Sequence, residues 1–207
     1  MAEKIVFTCD GLQLEGLLTA GTNCQAAVIT HPHPLYGGDM CNTVVGAMAD
    51  AYAGLGCTTL RFNFRGVGRS QGKHDQGQGE QRDALAAVSY AQQLETISAV
   101  FMAGYSFGSW VNMRAAAQST RLLPQIMVSP PVAFMDFGSP AKIPGLELVV
   151  TGASDDIAPV NKINRYLSVW NHHAPLEIIA GADHFYAGCL GALKQVLANH
   201  ANAEQQQ

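Results

Sequence analysis

From residue 26 onward, short runs rich in β-branched and other apolar residues alternate with longer segments of helical periodicity, and no other feature restricts the fold so strongly. Strand-like runs fall at residues 26–30, 58–62, 99–103, 125–128, 147–151 and 176–179, and helix-like segments near 41–54, 81–94, 109–118, 160–170 and 186–201. Such an alternation predicts an α/β fold, a mostly parallel twisted sheet with helices packed on both faces. Ahead of it, residues 4–8 and 12–18 read as an antiparallel hairpin, because the Asp10-Gly11 between them suits a two-residue turn.

The chain has 207 residues, which suits one domain over 1–207, with about 202–207 expected to fray. Hydrophobic residues make up 48% and charged residues 14%, the latter well below the usual ~25%, so a compact core is expected and disorder is not. With a formal net charge of −4 and scattered Lys and Arg, the basic footprint of a nucleic-acid binder is missing, and no nucleic-acid partner is expected. Five cysteines, at 9, 24, 41, 57 and 189, form no C-x-x-C and no zinc spacing with histidine, so they read as reduced thiols, with no metal and no cofactor implied. No stretch is apolar for the ~18 residues of a membrane span, and no leader pattern opens the chain, which makes the cytoplasm the expected address. The polar, glycine-rich residues 69–80 read as a flexible surface loop, and the segment between the strands at 125 and 147 is too short and proline-rich for a cap domain.

The pattern G-x-S-x-G occurs twice, at Gly68-Arg69-Ser70-Gln71-Gly72 and at Gly104-Tyr105-Ser106-Phe107-Gly108. Only the second lies between an apolar strand and a helix, the context in which a tight strand-to-helix turn presents its serine as a nucleophile. Glycine two positions to either side of that serine removes the side chains that would clash there. Ser106 is therefore the expected nucleophile and Ser70 a decoy; the rival reading of Ser106 is a helix N-cap.

A serine of this kind needs a base within hydrogen-bond reach and a carboxylate to orient the base. After Ser106 come Asp155, just past the strand at 147–151, and His184, just past the strand at 176–179, in the order nucleophile, acid, histidine that marks this motif. Both sit at carboxyl ends of strands, where open α/β sheets hold ligands. Asp156 competes with Asp155, and either also suits a helix N-terminus. Of the other histidines, His31 and His33 flank Pro32, His74 lies in the polar loop, His172 and His173 suit a helix end, and His200 is near the terminus. Two ligands at His31 and His33, with no third at suitable spacing, make a poor metal site.

With these pieces placed, the chain resembles the α/β-hydrolase superfamily, and within it the small lidless bacterial serine hydrolases related to dienelactone hydrolases. The likeness is carried by His31-Pro32-His33-Pro34-Leu35-Tyr36-Gly37-Gly38, Asn63-Phe64-Arg65-Gly66-Val67-Gly68-Arg69-Ser70, Gly104 to Gly108, Gly152 to Pro159 and Gly181-Ala182-Asp183-His184-Phe185. It implies Asp155 as the acid, through G-x-x-D-x-x-x-P, and His184 as the base. Serine stands where dienelactone hydrolases carry cysteine, so a dienelactone substrate is not implied. The resemblance also implies an oxyanion hole built from the N–H of Phe107 and one N–H of the loop after the strand at 26–30. Pro32 and Pro34 have none to give, which leaves His33 or Leu35, with His33 matching by position.

Leu35, Tyr36, Tyr105, Phe134, Met135, Phe137 and Phe185 lie at the same sheet edge and are expected to line an apolar acyl pocket, although each taken alone is more often core than pocket. Arg65 reads as a structural arginine bonding backbone carbonyls. The expected activity is hydrolysis of a small-molecule carboxylic ester through an acyl-enzyme intermediate. The rivals are a thioesterase or acyltransferase using the same three residues, and a ligand sensor that has kept the fold with little turnover.

Overall fold

In the computed structural model, which describes residues 2–138 and 142–204, eight strands form one sheet. The hairpin comes first. Strands β1 (Glu3–Cys9) and β2 (Leu12–Thr19) pair antiparallel, with Cys9 opposite Leu12. Asp10 and Gly11 both take positive φ, 51° and 77°, the left-handed pair that lets a two-residue turn match strand twist.

The remaining strands are β3 (Gln25–Thr30), β4 (Thr58–Phe62), β5 (Ala99–Tyr105), β6 (Gln125–Val128), β7 (Leu146–Gly152) and β8 (Leu176–Ile179). Their order across the sheet is β1-β2-β4-β3-β5-β6-β7-β8. Strand β4 is antiparallel to β2, and every later pairing is parallel. Strands β3, β5 and β6 read as nearly continuous apolar runs because helices cover both faces.

Helices α1 (Thr43–Gly54) and α5 (Leu190–Glu204) cover one face, where Val45, Met48 and Leu193 pack on Ile29, Ala103 and Val128. Helices α2 (Gln78–Gln92) and α3 (Phe107–Ala116) cover the other, where Ala84, Ala87 and Val111 pack on Val28 and Met102. Helix α4 (Val160–Trp170) extends that layer, with Ile163 and Trp170 against Met127 and Val149. This is the α/β-hydrolase fold without a cap domain; the described residues between β6 and β7 contain neither helix nor strand.

Several boundaries differ from the expectation, each for a local reason. Strand β5 runs on to Tyr105, up to the elbow itself. The last helix starts at Leu190 rather than near 186, because Tyr186 takes a left-handed φ of 55° and the Asp183 carboxylate accepts the N–H groups of Phe185 and Ala187. It then continues to Glu204, past the expected end; residues 205–207 of the expected frayed tail lie outside the described residues.

The largest correction concerns residues 69–80: Arg69, Gln71, Gly72, Lys73, Asp75, Gln76 and Gln78 are exposed as expected of a surface loop, but Ser70, Gly77, Gly79 and Glu80 are buried and anchor it. Glu80 is fully buried, and its two carboxylate oxygens accept the N–H groups of Asp75 and Gly77, which starts α2 three residues earlier than periodicity suggests. Arg65, on the same loop, is structural, but its partners are the carboxylates of Asp83 and Asp10 rather than backbone carbonyls.

Candidate active site

Four loops at the carboxyl edge of the sheet build one site. The first is the turn between β5 and α3, where Ser106 holds φ 53° and ψ −120°, a strained conformation, while its N–H bonds the Val128 carbonyl at 2.9 Å. A Cβ at Gly104 would lie 2.5 Å from the Ser109 Cα, and one at Gly108 2.5 Å from the Thr30 carbonyl oxygen, so no other residue fits either place. Ser109, itself buried, donates both its N–H and its hydroxyl to the Ser106 carbonyl and ties the elbow to the helix.

The second loop follows β8. It sets the imidazole of His184 with Nε2 3.0 Å from the Ser106 hydroxyl, and the Tyr105 hydroxyl donates to the His184 carbonyl at 2.8 Å, clamping this loop to the elbow. The third follows β7. Asp155 reaches His184 Nδ1 with both oxygens, at 3.0 and 2.9 Å, and accepts the N–H groups of Ile157 and Ala158 at 2.9 and 2.7 Å. Asp156 is exposed and has no part in this chain of bonds.

Burial alone would raise the Asp155 pKa, but His184, then the Ser129 hydroxyl and the Ala158 N–H, hold it below the ordinary carboxylate value. The carboxylate therefore stays charged beside the imidazole. With Nδ1–H donated to it, Nε2 is left as the acceptor for the serine proton. Sequence reasoning missed Ser129 and Tyr186, whose hydroxyls lie 2.9 Å apart behind the carboxylate. No motif marks them.

The fourth loop follows β3. His31 is buried, with Nδ1 bonded to the Pro32 carbonyl and Nε2 accepting the Phe64 N–H, so both ring nitrogens serve the backbone. Desolvation pushes its pKa down to about 4. Past it, a single 3-10 turn at Pro34–Tyr36 carries the chain around the mouth of the site, held by the Leu35 N–H donating to His33 Nδ1. That bond occupies the Leu35 N–H, whereas the N–H groups of His33 and Phe107 donate to no other group among the described residues. The His33 ring rests against Phe107 and His74, at centroid distances of 4.6 and 5.1 Å. Burial first and His74 second push its pKa below the ordinary histidine value, against the pull of Glu80.

Ser106 and His184 open into a cleft of about 490 Å³, walled by Tyr36, Tyr105, Pro131, Phe134, Met135, Ile157 and Phe185 together with His33 and Phe107. Two expected pocket residues fall elsewhere. Leu35 points over the outer side of the 3-10 turn and lines a neighbouring hollow, and Phe137 is fully buried against Trp170. Tyr105 does line the cleft, but it is buried and its hydroxyl is committed to His184.

Fold and site together define an α/β-hydrolase. An uncharacterized protein of Rickettsia prowazekii is 36% identical over 196 residues, covering 88% of this chain and 82% of its own. An α/β serine hydrolase homologue from Coxiella burnetii superposes with a TM-score of 0.87 at 32% identity, over 95% of this chain and 96% of its own. An α/β serine hydrolase without a lid, from Xanthomonas campestris, gives a TM-score of 0.90 at 29% identity, over 98% and 94%. No protein-family model matches the chain. The chain belongs to the α/β serine hydrolases, and it is an enzyme of that class.

Proposed function

We propose that this enzyme hydrolyses carboxylic esters through an acyl-enzyme intermediate on Ser106, with His184 as base and Asp155 as its orienting carboxylate. The observation that carries the reading is the unbroken chain of bonds from the Ser106 hydroxyl through both nitrogens of His184 to Asp155. In the first half-reaction Oγ attacks the acyl carbon while its proton passes to Nε2, and the charge that gathers on the carbonyl oxygen is met by the N–H groups of Phe107 and His33. Phe107 opens α3, so the helix dipole adds to that field. Loss of one such donor costs about 3 kcal/mol in the transition state. The C–O bond then breaks, and Nε2–H protonates the departing alkoxide. In the second half-reaction His184 takes a proton from water, the hydroxide attacks the acyl carbon, the bond from that carbon to Oγ breaks as Nε2–H returns its proton to Oγ, and the carboxylic acid leaves with Ser106 restored.

An ester is favoured over a coenzyme-bound thioester because the cleft walls contain no lysine or arginine to hold phosphates. The five cysteines are all free, which supports a reducing compartment, and we place the enzyme in the cytoplasm. Among the described residues no helix is long and apolar enough to cross a membrane. The test is turnover of p-nitrophenyl butyrate alongside labelling by a fluorophosphonate. Ser106→Ala is expected to lose both, with kcat down by roughly 10⁵-fold or more. Retained labelling in that variant removes the assignment.

A further inference from the structure

Two side chains with no part in the mechanism above lie beside it. The carboxylate of Glu80 is fully buried, and besides the N–H groups of Asp75 and Gly77 it faces His74, whose Nδ1 lies 2.7 Å from Oε1, though off the line of a hydrogen bond. Burying a carboxylate is costly unless its oxygens are satisfied. Two N–H groups already meet that need, and the contact with His74 seats an imidazole as well. That imidazole does not wall the Ser106 cleft. It rests on the rings of His33, at a centroid distance of 5.1 Å, and Phe107, at 5.9 Å, which themselves meet at 4.6 Å. These are the two residues whose N–H groups meet the oxyanion in the ester hydrolase reading, on which this inference rests.

We propose that His74 is a positioning residue of the oxyanion hole, setting the spacing between the His33 and Phe107 N–H groups through their rings. The direction of each donor is fixed without it. His31 Nδ1 bonds the Pro32 carbonyl at 2.7 Å, which shares a peptide plane with the His33 N–H, and the Phe107 N–H opens α3. The distance between the donors has no such tie. Strands β3 and β5 are last paired at Thr30 and Gly104, and past those residues no backbone hydrogen bond joins the two loops among the described residues. His33 and Phe107, each three positions further on, therefore meet through side chains, and His74 touches both. The loop that carries His74 is itself tied to α3. Gly77 has φ 88°, and a Cβ there would run into the Trp110 ring, which stacks on Phe107 at 5.8 Å. A reacting group misplaced by about 1 Å loses up to ~10²-fold in rate, so this spacing bears directly on kcat.

The experiment measures p-nitrophenyl butyrate kinetics, normalised to the fraction of enzyme titrated by fluorophosphonate, and inhibition by propyl trifluoromethyl ketone. Ser106 Oγ adds to the ketone carbon as its proton passes to Nε2, and the anionic oxygen has no leaving group to expel, so affinity for the ketone reports the oxyanion site. For His74→Ala, kcat is expected to fall by roughly 30-fold, short of the ~10²–10³-fold of a deleted donor, and the ketone Ki to rise by the same factor. KM is expected to stay within about twofold, since acylation and deacylation both pass through an oxyanion. His74→Phe, which keeps a ring against His33 and Phe107, is expected to recover most of both losses. A purely structural role lowers the titrated fraction and leaves the Ki of the folded enzyme at the wild-type value. That outcome overturns the proposal, as does a His74→Phe enzyme no better than His74→Ala. Should His74→Ala not fold, His74→Leu, bulky but without a planar ring, replaces it with the same expected losses. Wild type that turns over no ester overturns the functional reading and this inference together, whereas active wild type with unaffected variants overturns this inference alone.

Discussion

The two G-x-S-x-G pentapeptides have opposite fates. Both serines are nearly buried, Ser70 at 7% and Ser106 at 8% exposure, so accessibility does not separate them. The backbone does. At the second pentapeptide the serine itself takes the left-handed conformation and the glycines clear space for the turn; at the first, Gly68 and Gly72 carry the positive φ, 57° and 88°, and the serine is relaxed. The hydroxyls differ accordingly. Ser70 Oγ donates to the Asn63 carbonyl at 2.7 Å and accepts the Glu15 N–H at 3.1 Å, so its hydrogen-bonding capacity serves the fold. Ser106 Oγ faces an imidazole held by a carboxylate. On the proposed reading a motif becomes chemistry only where the turn is strained and a base is waiting, which gives the comparison its sharpest break: fluorophosphonate is expected to label wild type and Ser70→Ala alike and to spare Ser106→Ala.

The two adjacent aspartates offer the next-largest effect. Asp155→Asn keeps the shape but turns an amide toward Nδ1, which upsets the tautomer His184 needs, and kcat is expected to fall by about 10⁴-fold. Asp156→Asn, at an exposed side chain, is expected to leave kcat within about twofold. Steady-state kinetics on p-nitrophenyl butyrate checks both, and a severe loss from Asp156→Asn with little from Asp155→Asn reverses the assignment.

Histidines show the same division between fold and chemistry. His31 spends both nitrogens on backbone partners and is kept neutral by burial, with a pKa of about 4 in the folded chain. Unfolded, it would titrate near ~6.5. Between those values the unfolded chain holds a proton that the folded chain refuses, so stability is complete above the upper value and declines as pH falls, by about 3 kcal/mol across the window. Asp155 acts lower down: its folded pKa is depressed, so its contribution is present above the unfolded carboxylate value of ~3.9 and disappears below it. Urea midpoints measured from pH 7 to pH 4.5 should fall for wild type and fall less steeply for His31→Gln. Equal slopes would show that His31 carries no such penalty.

What the sequence discloses and what it conceals divide along the same physical line. Strand and helix alternation, the Asp10-Gly11 turn and the glycine-flanked elbow are readable because each depends on local backbone geometry, and chain order then points to Asp155 and His184. Within residues 69–80 it is Glu80 that misleads, because a carboxylate ordinarily means solvent, whereas here it is buried and satisfied by backbone N–H groups of its own loop. Phe137 and Leu35 mislead because a loop residue's direction depends on tertiary packing: one turns inward onto Trp170, the other outward over a 3-10 turn. Tyr186 and Ser129 leave no trace because their role, backing the carboxylate, exists only once β6 and β8 deliver their loops to the same place.

Stability provides the smallest effect and the most discriminating one. Ser70→Ala strips the Asn63 carbonyl and the Glu15 N–H of a shared partner in a nearly dry position, which costs about 1–3 kcal/mol. For a chain of this length each kcal/mol moves Tm by about 2–4 °C. Ser106→Ala removes a hydroxyl that satisfies no backbone group, and alanine meets the same φ penalty as serine, so its Tm is expected to stay within about 2 °C of wild type. The pair thus predicts a double dissociation: one serine matters to melting and not to labelling, the other to labelling and not to melting. Differential scanning calorimetry on the two variants, run beside the probe experiment, reads both halves. If Ser106→Ala lowered Tm as much as Ser70→Ala does, the elbow hydroxyl would be part of the scaffold, and the distinction between a structural serine and a reacting one would collapse.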